Sequence, residues 1–174
     1  SHCGSATARC RPRSCSAGAR SRALVASVPG MEPHASEALV VAVDLSTTAC
    51  KALVFCLHGE VVASARRPLA TSAPEPGWQE QASGDWWAAT CASLREVMSG
   101  LDPNAVRAMA ITHQRESFVC LDSAGEPLRP AILWIDDRAT AQVKALGTER
   151  IHELTGRPPS TAPSFYKLAW MREH

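Results

Sequence analysis

Leu39-Val-Val-Ala-Val-Asp-Leu45 is an apolar run interrupted only by Asp44, the pattern of a strand buried on both faces. After a short polar turn, residues 51–57 repeat it. His58-Gly59-Glu60 supplies a second turn and residues 61–65 begin a third extended segment, so three strands in a meander are predicted. Pro74, Pro76 and Gly77 then break the chain. Ser83 stands at an N-cap position with Asp85 in the first turn behind it, where a carboxylate favours the helix dipole. The helix is expected to run to about residue 99, laying Trp87, Cys91, Leu94 and Met98 on one stripe against the sheet, with Gly100 as its stop.

Residues 106–112 and 118–121 read as further strands, joined through Gln114-Arg115-Glu116, with a turn at 122–125 and another apolar run at 131–135. From Arg138 onward Val143, Leu146, Ile151, Leu154, Tyr166, Leu168 and Trp170 give a helical pattern in pieces, cut by Gly147, Gly156, Pro158 and Pro159. Strands first, then a helix, then alternating elements predict an α/β layer structure with a mixed sheet flanked by helices. Lys167 to His174 are still in helical pattern with no cap, which is expected of a chain cut within an element.

At 174 residues, 45% hydrophobic and 20% charged, the chain has the composition of one globular domain with an appendage. No apolar stretch approaches the roughly 18 residues of a membrane span, so no membrane role is expected. Residues 1–30 hold Arg9, Arg11, Arg13, Arg20 and Arg22 and no acid. They are read as a disordered leader, either an organelle-type transit segment or, preferentially, sequence upstream of a start at Met31. The remaining residues are acidic overall, which argues against a nucleic-acid partner. The seven cysteines form no CxxC pair, and Cys50, Cys56, Cys91 and Cys120 lie singly in apolar segments. They are read as reduced thiols of a cytoplasmic protein. The six histidines lack metal-ligand spacing.

Three segments carry candidate chemistry. Asp44-Leu-Ser46-Thr47-Thr48-Ala-Cys-Lys51 is a polar turn between two apolar strands. Successive hydroxyls and backbone N–H groups make such a turn an anion receiver, and an ordinary hydroxyl-stabilised turn is the competing reading. In Ile111-Thr-His-Gln114-Arg115-Glu116-Ser117, an arginine can donate to and a glutamate accept from vicinal hydroxyls; a surface ion pair is the alternative. In Ala131-Ile-Leu-Trp134-Ile-Asp136-Asp137-Arg138, the tryptophan can wall a polyol site or be a core aromatic. The adjacent carboxylates of Asp136 and Asp137 point to opposite faces if the strand continues.

In their order along the chain these segments resemble the N-terminal domain of the FGGY carbohydrate kinases. Asp44 to Lys51 looks like the family's D-x-G-T-T-x-x-K/R phosphate hairpin, and Gly77-Trp-Gln-Glu-Gln81 like its G-W-x-E-Q segment. Ile111-Thr-His-Gln-Arg-Glu116 is similar to I-T-x-Q-R-E, and Pro130-Ala-Ile-Leu-Trp134 to Arg138 resembles P-A-I-x-W-x-x-x-R. The resemblance covers residues 39–174 and implies a ribonuclease-H-like, actin-type ATPase fold with a second domain lying beyond this chain. It implies Mg-ATP as cofactor, with Ser46, Thr47, Thr48 and Lys51 near the transferred phosphate and Asp44 near the Mg²⁺. Gln114, Arg115, Glu116, Trp134 and Asp136 would surround the substrate hydroxyls, and the deprotonating aspartate would come from the second domain, beyond His174. A sugar or polyol substrate and a homodimer of the full-length protein are also implied.

Two departures stand out. Ser46 replaces the family's usual glycine, and Ala162 stands where glycerol kinases carry a tyrosine ahead of the Lys-x-x-Trp segment, here Lys167-Leu-Ala-Trp170. With Thr155-Gly-Arg-Pro-Pro159, this favours a pentulose kinase of the xylulokinase type. Arg115-Glu116, where xylulokinases usually place Met-His, favours glycerol. A chain of this length could also be an inactive fragment serving only as a binding or assembly module.

Overall fold

The computed structural model describes residues 38–174, so the reading of residues 1–30 as a leader lies outside the described residues. Strands β1 (Leu39–Leu45), β2 (Ala49–Cys56) and β3 (Val61–Pro68) form the expected antiparallel meander. β5 (Val106–His113) then adds parallel to β1, giving a mixed four-stranded sheet in the order β3-β2-β1-β5. Between them lie α1 (Ser83–Val97) and a 3₁₀ turn at Pro103–Ala105. The two-residue strands β4 (Glu80–Gln81) and β6 (Ala131–Ile132) pair antiparallel as a second small sheet. Helices α2 (Thr140–Leu146), α3 (Glu149–Thr155) and α4 (Ser164–Glu173) complete the chain. A mixed sheet flanked by helices is the layer architecture expected, but several local expectations need correction.

One face of the sheet is the core. Leu39, Val41 and Val43 of β1 and Ala52 and Val54 of β2 are buried beneath α1, meeting Ala89, Leu94 and Val97. On the other face Val40, Ala42, Leu53 and Phe55 are only half-buried, so β1 is apolar on both sides while the described residues cover one. The helix stripe is rotated from the expected one. Trp87 is 73% exposed and the buried positions are Ala89, Ser93 and Val97. Small residues on that face let the helix axis approach the sheet closely, a signal that a search for large apolar residues misses. Ser83 is the first helical residue; Ala82 holds the N-cap position and makes no side-chain cap bond.

Residues 118–121 form no strand. Phe118 and Leu121 make only isolated bridges to Ile132 and Pro127, because Pro127 and Pro130 offer no N–H to extend a ladder. The run 131–135 leaves the sheet after Ile132 and turns, the Asp136 N–H donating to the Leu133 carbonyl at 3.1 Å. α4 closes at Glu173 and His174 holds the C-cap position, its ring Nδ1 donating to the Trp170 carbonyl at 2.9 Å. A histidine there satisfies one of the carbonyls that a helix end leaves without a partner.

Candidate active site

β1 and β5 run parallel and adjacent, so the turn leaving β1 and the loop leaving β5 emerge at the same end of the sheet. The carboxyl ends of neighbouring parallel strands are where α/β proteins build ligand sites. The Gln114 N–H donates to the Leu45 carbonyl at 3.1 Å, fixing the loop against the end of β1.

The turn at residues 46–48 is held by Ser46, whose N–H (3.0 Å) and Oγ (2.9 Å) both donate to the Ala49 carbonyl. Among the described residues Glu116 is the one non-glycine with positive φ, so Ser46 fills the glycine position without left-handed backbone. The Thr48 side chain is exposed, and its carbonyl accepts from the Leu69 N–H at 2.9 Å. Asp44 and Lys51 are a cross-strand pair, Nζ donating to Oδ2 at 3.2 Å, both partly open to solvent. Asp44 therefore carries no unpaired buried charge, and Lys51 stands beside the turn with its ammonium accessible.

A closed ring of hydrogen bonds joins this turn to the β5 loop and to Trp134. Thr47 Oγ1 donates to Gln114 Oε1 (3.2 Å) and accepts from Trp134 Nε1 (2.9 Å). Ser117 Oγ also donates to Gln114 Oε1 (3.0 Å), and the Trp134 N–H donates to Ser117 Oγ (3.0 Å). Trp134 is 42% exposed, so its ring keeps an open face while its N–H is anchored. Thr47, Gln114 and Trp134, from three separate segments, are thus brought together.

Arg115 is exposed and makes no hydrogen bond or ion pair with the described residues, leaving all its donors available. Glu116 is engaged instead. Its Oε2 accepts from the Ser164 N–H and Oγ, both at 2.9 Å, and its Oε1 from Arg157 Nη1 at 2.6 Å. The backbone donor Ser164 N–H, with the Ser164 hydroxyl and Arg157 behind it, outweighs partial burial and holds the carboxyl below the usual glutamate range. Since α4 begins at Ser164 with no cap of its own, Glu116 serves as its N-terminal anion.

Asp136, expected among the residues around the substrate hydroxyls, is engaged within the fold. Its side chain is fully buried, accepting from Arg138 Nε and Nη2 (2.8 Å each), from the Arg138 N–H (3.0 Å) and from the Gln79 N–H (2.6 Å). Burial alone would raise its pKa, yet the guanidinium and the two backbone donors outweigh it and lower the value. Asp137, by contrast, is exposed and accepts from Thr161 Oγ1 at 2.6 Å. His174, beyond which the deprotonating aspartate is expected, is itself no part of the site. Its ring stacks on Trp170 with centroids 4.5 Å apart and planes 10° from parallel, and its one ring hydrogen bond goes to the backbone of α4.

Three supporting residues were not singled out from sequence. Gln81 is buried and divides its hydrogen bonds among Thr47, Thr71, Trp86 and Gln114. Arg138 stacks on Trp78 and Trp170 at 3.9 and 5.1 Å while bridging Asp136 and Glu80. Lys167 Nζ, fully buried, donates to the carbonyls of Trp134 (3.2 Å) and Ala162 (2.9 Å). That desolvation lowers its pKa to about 8, the nearby carboxylates of Asp136, Glu116 and Asp137 only partly opposing it. Gln81, Arg138 and Lys167 stand in the quoted motifs, but nothing in residue type marked them as supports rather than spacers.

No helix among the described residues is long and apolar enough to cross a membrane. The sequence is 39% identical over 142 residues to the glycerol kinase of Methylorubrum extorquens (strain PA1), covering 78% of this chain and 28% of that protein. It is 32% identical over 141 residues to the xylulose kinase of Staphylococcus xylosus, covering 79% and 29%. The fold superposes on the crystal structure of xylulose kinase from Rhodospirillum rubrum with a TM-score of 0.72 and 31% identity, over 78% of this chain and 29% of that one. The chain therefore spans under a third of the length of the curated relatives it matches. Its mixed sheet and helices are the N-terminal part of the actin-like ATPase fold of these kinases. Residues 39–174 match the N-terminal domain of the FGGY family of carbohydrate kinases along their whole extent, and the chain belongs to that family.

Proposed function

We propose that this chain contributes the phosphate-side turn and the hydroxyl-side loop of an ATP-dependent kinase that phosphorylates a hydroxyl of a sugar or polyol. The observation that carries the reading is the direct contact between Thr47 and Gln114 at the carboxyl ends of β1 and β5. It puts an anion-receiving turn within one hydrogen bond of a loop carrying free donors. Phosphoryl transfer needs little covalent help from protein; positioning and charge neutralisation supply most of the catalysis.

The residues fit Mg-ATP in kind. The exposed Thr48 hydroxyl and the Lys51 ammonium suit phosphate oxygens, and Asp44 offers the single carboxylate that a Mg²⁺ held mainly by phosphates and water requires. Once bound, Mg-ATP would supply the transferable phosphoryl group. On the acceptor side Arg115 donates to hydroxyls, the open face of Trp134 packs against the carbon skeleton, and Gln114 holds both in register with the turn. Glu116 reaches the acceptor only through the carboxylate capacity left by Ser164 and Arg157, so it acts chiefly by orienting the loop. The general base and the adenine contacts are expected from the portion of the relatives that this chain does not match. Activity is accordingly assigned to the full-length protein in the cytoplasm, and none to the 174-residue chain alone.

The proposed acceptor is a pentulose such as xylulose. Lys167 ties the backbone carbonyls of Ala162 and Trp134 together, and an alanine at 162, in place of the tyrosine that glycerol kinases carry there, favours a substrate longer than three carbons. Glycerol is the second reading, favoured by Arg115-Glu116 and by the 39% identity to a protein named glycerol kinase. A coupled ADP-release assay on the full-length protein with xylulose and glycerol separates them. Phosphorylation of glycerol alone overturns the pentulose assignment, and phosphorylation of neither overturns the phosphate and acceptor roles given to Thr48, Lys51 and Arg115. Sugar-stimulated ADP release by the 174-residue chain would refute the assignment of the base to chain beyond it.

A further inference from the structure

We infer that Gln81 is a positioning residue that locks the phosphate-side turn to the hydroxyl-side loop, so that the two halves of the site hold one relative geometry. Gln81 is 2% exposed and its side chain is fully subscribed. Its amide Nε2 donates to the Thr47 carbonyl at 2.7 Å and to Thr71 Oγ1 at 3.0 Å. Its Oε1 accepts from Trp86 Nε1 at 2.8 Å and from Gln114 Nε2 at 3.2 Å. The nitrogen thus holds the turn after β1 and the oxygen holds the loop after β5, while Trp86 packs into the core beneath. No other residue type of this size offers two donors and a two-fold acceptor in one planar group.

The purpose of the lock rests on the kinase reading, since in-line phosphoryl transfer loses rate steeply when donor and acceptor sides drift relative to one another. Its existence does not. Thr47 and Gln114 touch directly through one 3.2 Å bond, and Gln81 adds a second, buried connection between their segments. Gln81 makes no hydrogen bond to Trp134, which is bonded to Thr47 Oγ1. A change at Gln81 can therefore reach Trp134 only by moving the turn or the loop that Gln81 joins.

That separation defines the test, made on the 174-residue chain without substrate. The indole N–H signals of Trp78, Trp86, Trp87, Trp134 and Trp170 are assigned in a proton–nitrogen correlation spectrum by single Trp→Phe changes. Gln81→Glu keeps the acceptor that serves Trp86 and Gln114 but sets a carboxylate oxygen against the Thr47 carbonyl. The expected result is a Trp134 indole signal displaced by more than its linewidth, with the Trp86 signal close to its original place. A Trp134 signal that stays put while the protein is folded overturns the inference and leaves Gln81 as local support for Trp86. Should Gln81→Glu fail to fold, Gln114→Leu cuts the same link from the half-exposed loop. It is expected to displace the Trp86 indole, which is linked to Gln114 through their shared acceptor, Gln81 Oε1, and an unmoved Trp86 signal overturns the inference equally. Because no step uses ATP or sugar, failure of the lock is separable from failure of the kinase reading.

Discussion

Replacing Arg138 by methionine removes the cation on which the floor of the site depends, with little change in side-chain length. In the structure the Arg138 side chain is fully buried. It reaches Asp136 through Nε and Nη2 and Glu80 through Nη2, all at 2.8 Å, and lies 3.9 Å over the Trp78 ring. Methionine would preserve most of the packing and leave the fully buried Asp136 carboxylate and the nearly buried Glu80 carboxylate without that partner. Breaking a buried pair in this way costs about 3–5 kcal/mol, a large share of the roughly 5–15 kcal/mol by which domains are stable. With a urea slope of about 2 kcal/mol/M, the unfolding midpoint, followed by tryptophan fluorescence at pH 7, should fall by roughly 1.5–2.5 M. Asp136 in the intact protein has a lowered pKa, so its contribution is complete above the ordinary carboxylate range and is lost as pH falls through the lowered value. Without Arg138, burial dominates and raises that pKa; the deficit should therefore narrow on acidification below about pH 4. Arg138→Lys keeps the charge but loses the planar fork and the stacking, so it should fall between the two. A methionine variant whose midpoint lies within about 0.5 M of the parent at pH 7 refutes the view that this cation neutralises the floor.

Glu116→Gln should cost about 1–2 kcal/mol in the same assay, because an amide cannot accept from both Ser164 and Arg157 as the carboxylate does. The Glu116 pKa is lowered in the fold, so the gap should close as pH drops below about 4. The lowered Lys167 pKa of about 8 means that above this pH the unfolded chain binds the extra proton, and stability should rise with pH toward the ordinary lysine value. Lys167→Met, compared by thermal melts between pH 7 and 10, should lack that rise, and an unchanged pH profile would contradict the buried placement. β5 is an edge strand with Met109 and Ile111 55% and 58% exposed, the kind of edge that pairs with other chains. Met109→Lys with Ile111→Lys should reduce concentration-dependent light scattering by the chain, and no reduction would exclude this edge as the sticky surface.

The meander was legible because apolar runs and turn residues mark it out; β1, β2 and β3 fall where Leu39, the 46–48 turn and Gly59 place them, whereas the parallel pairing of β5 with β1 is a tertiary fact that no local pattern carries. The stripe of α1 was not, because Trp86 and Trp87 are both large and apolar and periodicity alone cannot choose between them. What decides is that Trp86 has a buried partner for its N–H in Gln81, a fact of tertiary structure. The strand expected at 118–121 failed for the converse reason. Phe118, Val119 and Leu121 have strand-like side chains, but the prolines at 127 and 130 deny them a ladder. Thr47, Gln114 and Trp134 were legible as candidates from residue type and spacing, and the structure brings them together. The burial of Asp136 against Arg138 was not legible, because a carboxylate beside an exposed tryptophan reads the same whether it faces solvent or an arginine beneath.

The polar connections under the site share one design. Asp136 and Gln81 are both buried, both hydrogen-bonded to capacity by neighbours in the fold, and both attached to backbone that carries an exposed functional group. Asp136 fixes the turn after Trp134 through Gln79 and Arg138, while Gln81 fixes the turn at Thr47. Gln79 and Gln81 flank Glu80, whose carboxylate receives Arg138 and Arg129, so residues 79–81 form a short strap touching every part of the floor. Leaving any of these polar groups unpaired would cost more than an exposed bond returns, so the strap resists local rearrangement. The surface residues above it keep their freedom to bind: Lys51, Thr48 and Arg115 are exposed, and the latter two hold no side-chain partner among the described residues. Rigidity is thus concentrated one layer below the groups assigned to ligand, which is where positioning a phosphoryl donor against an acceptor requires it.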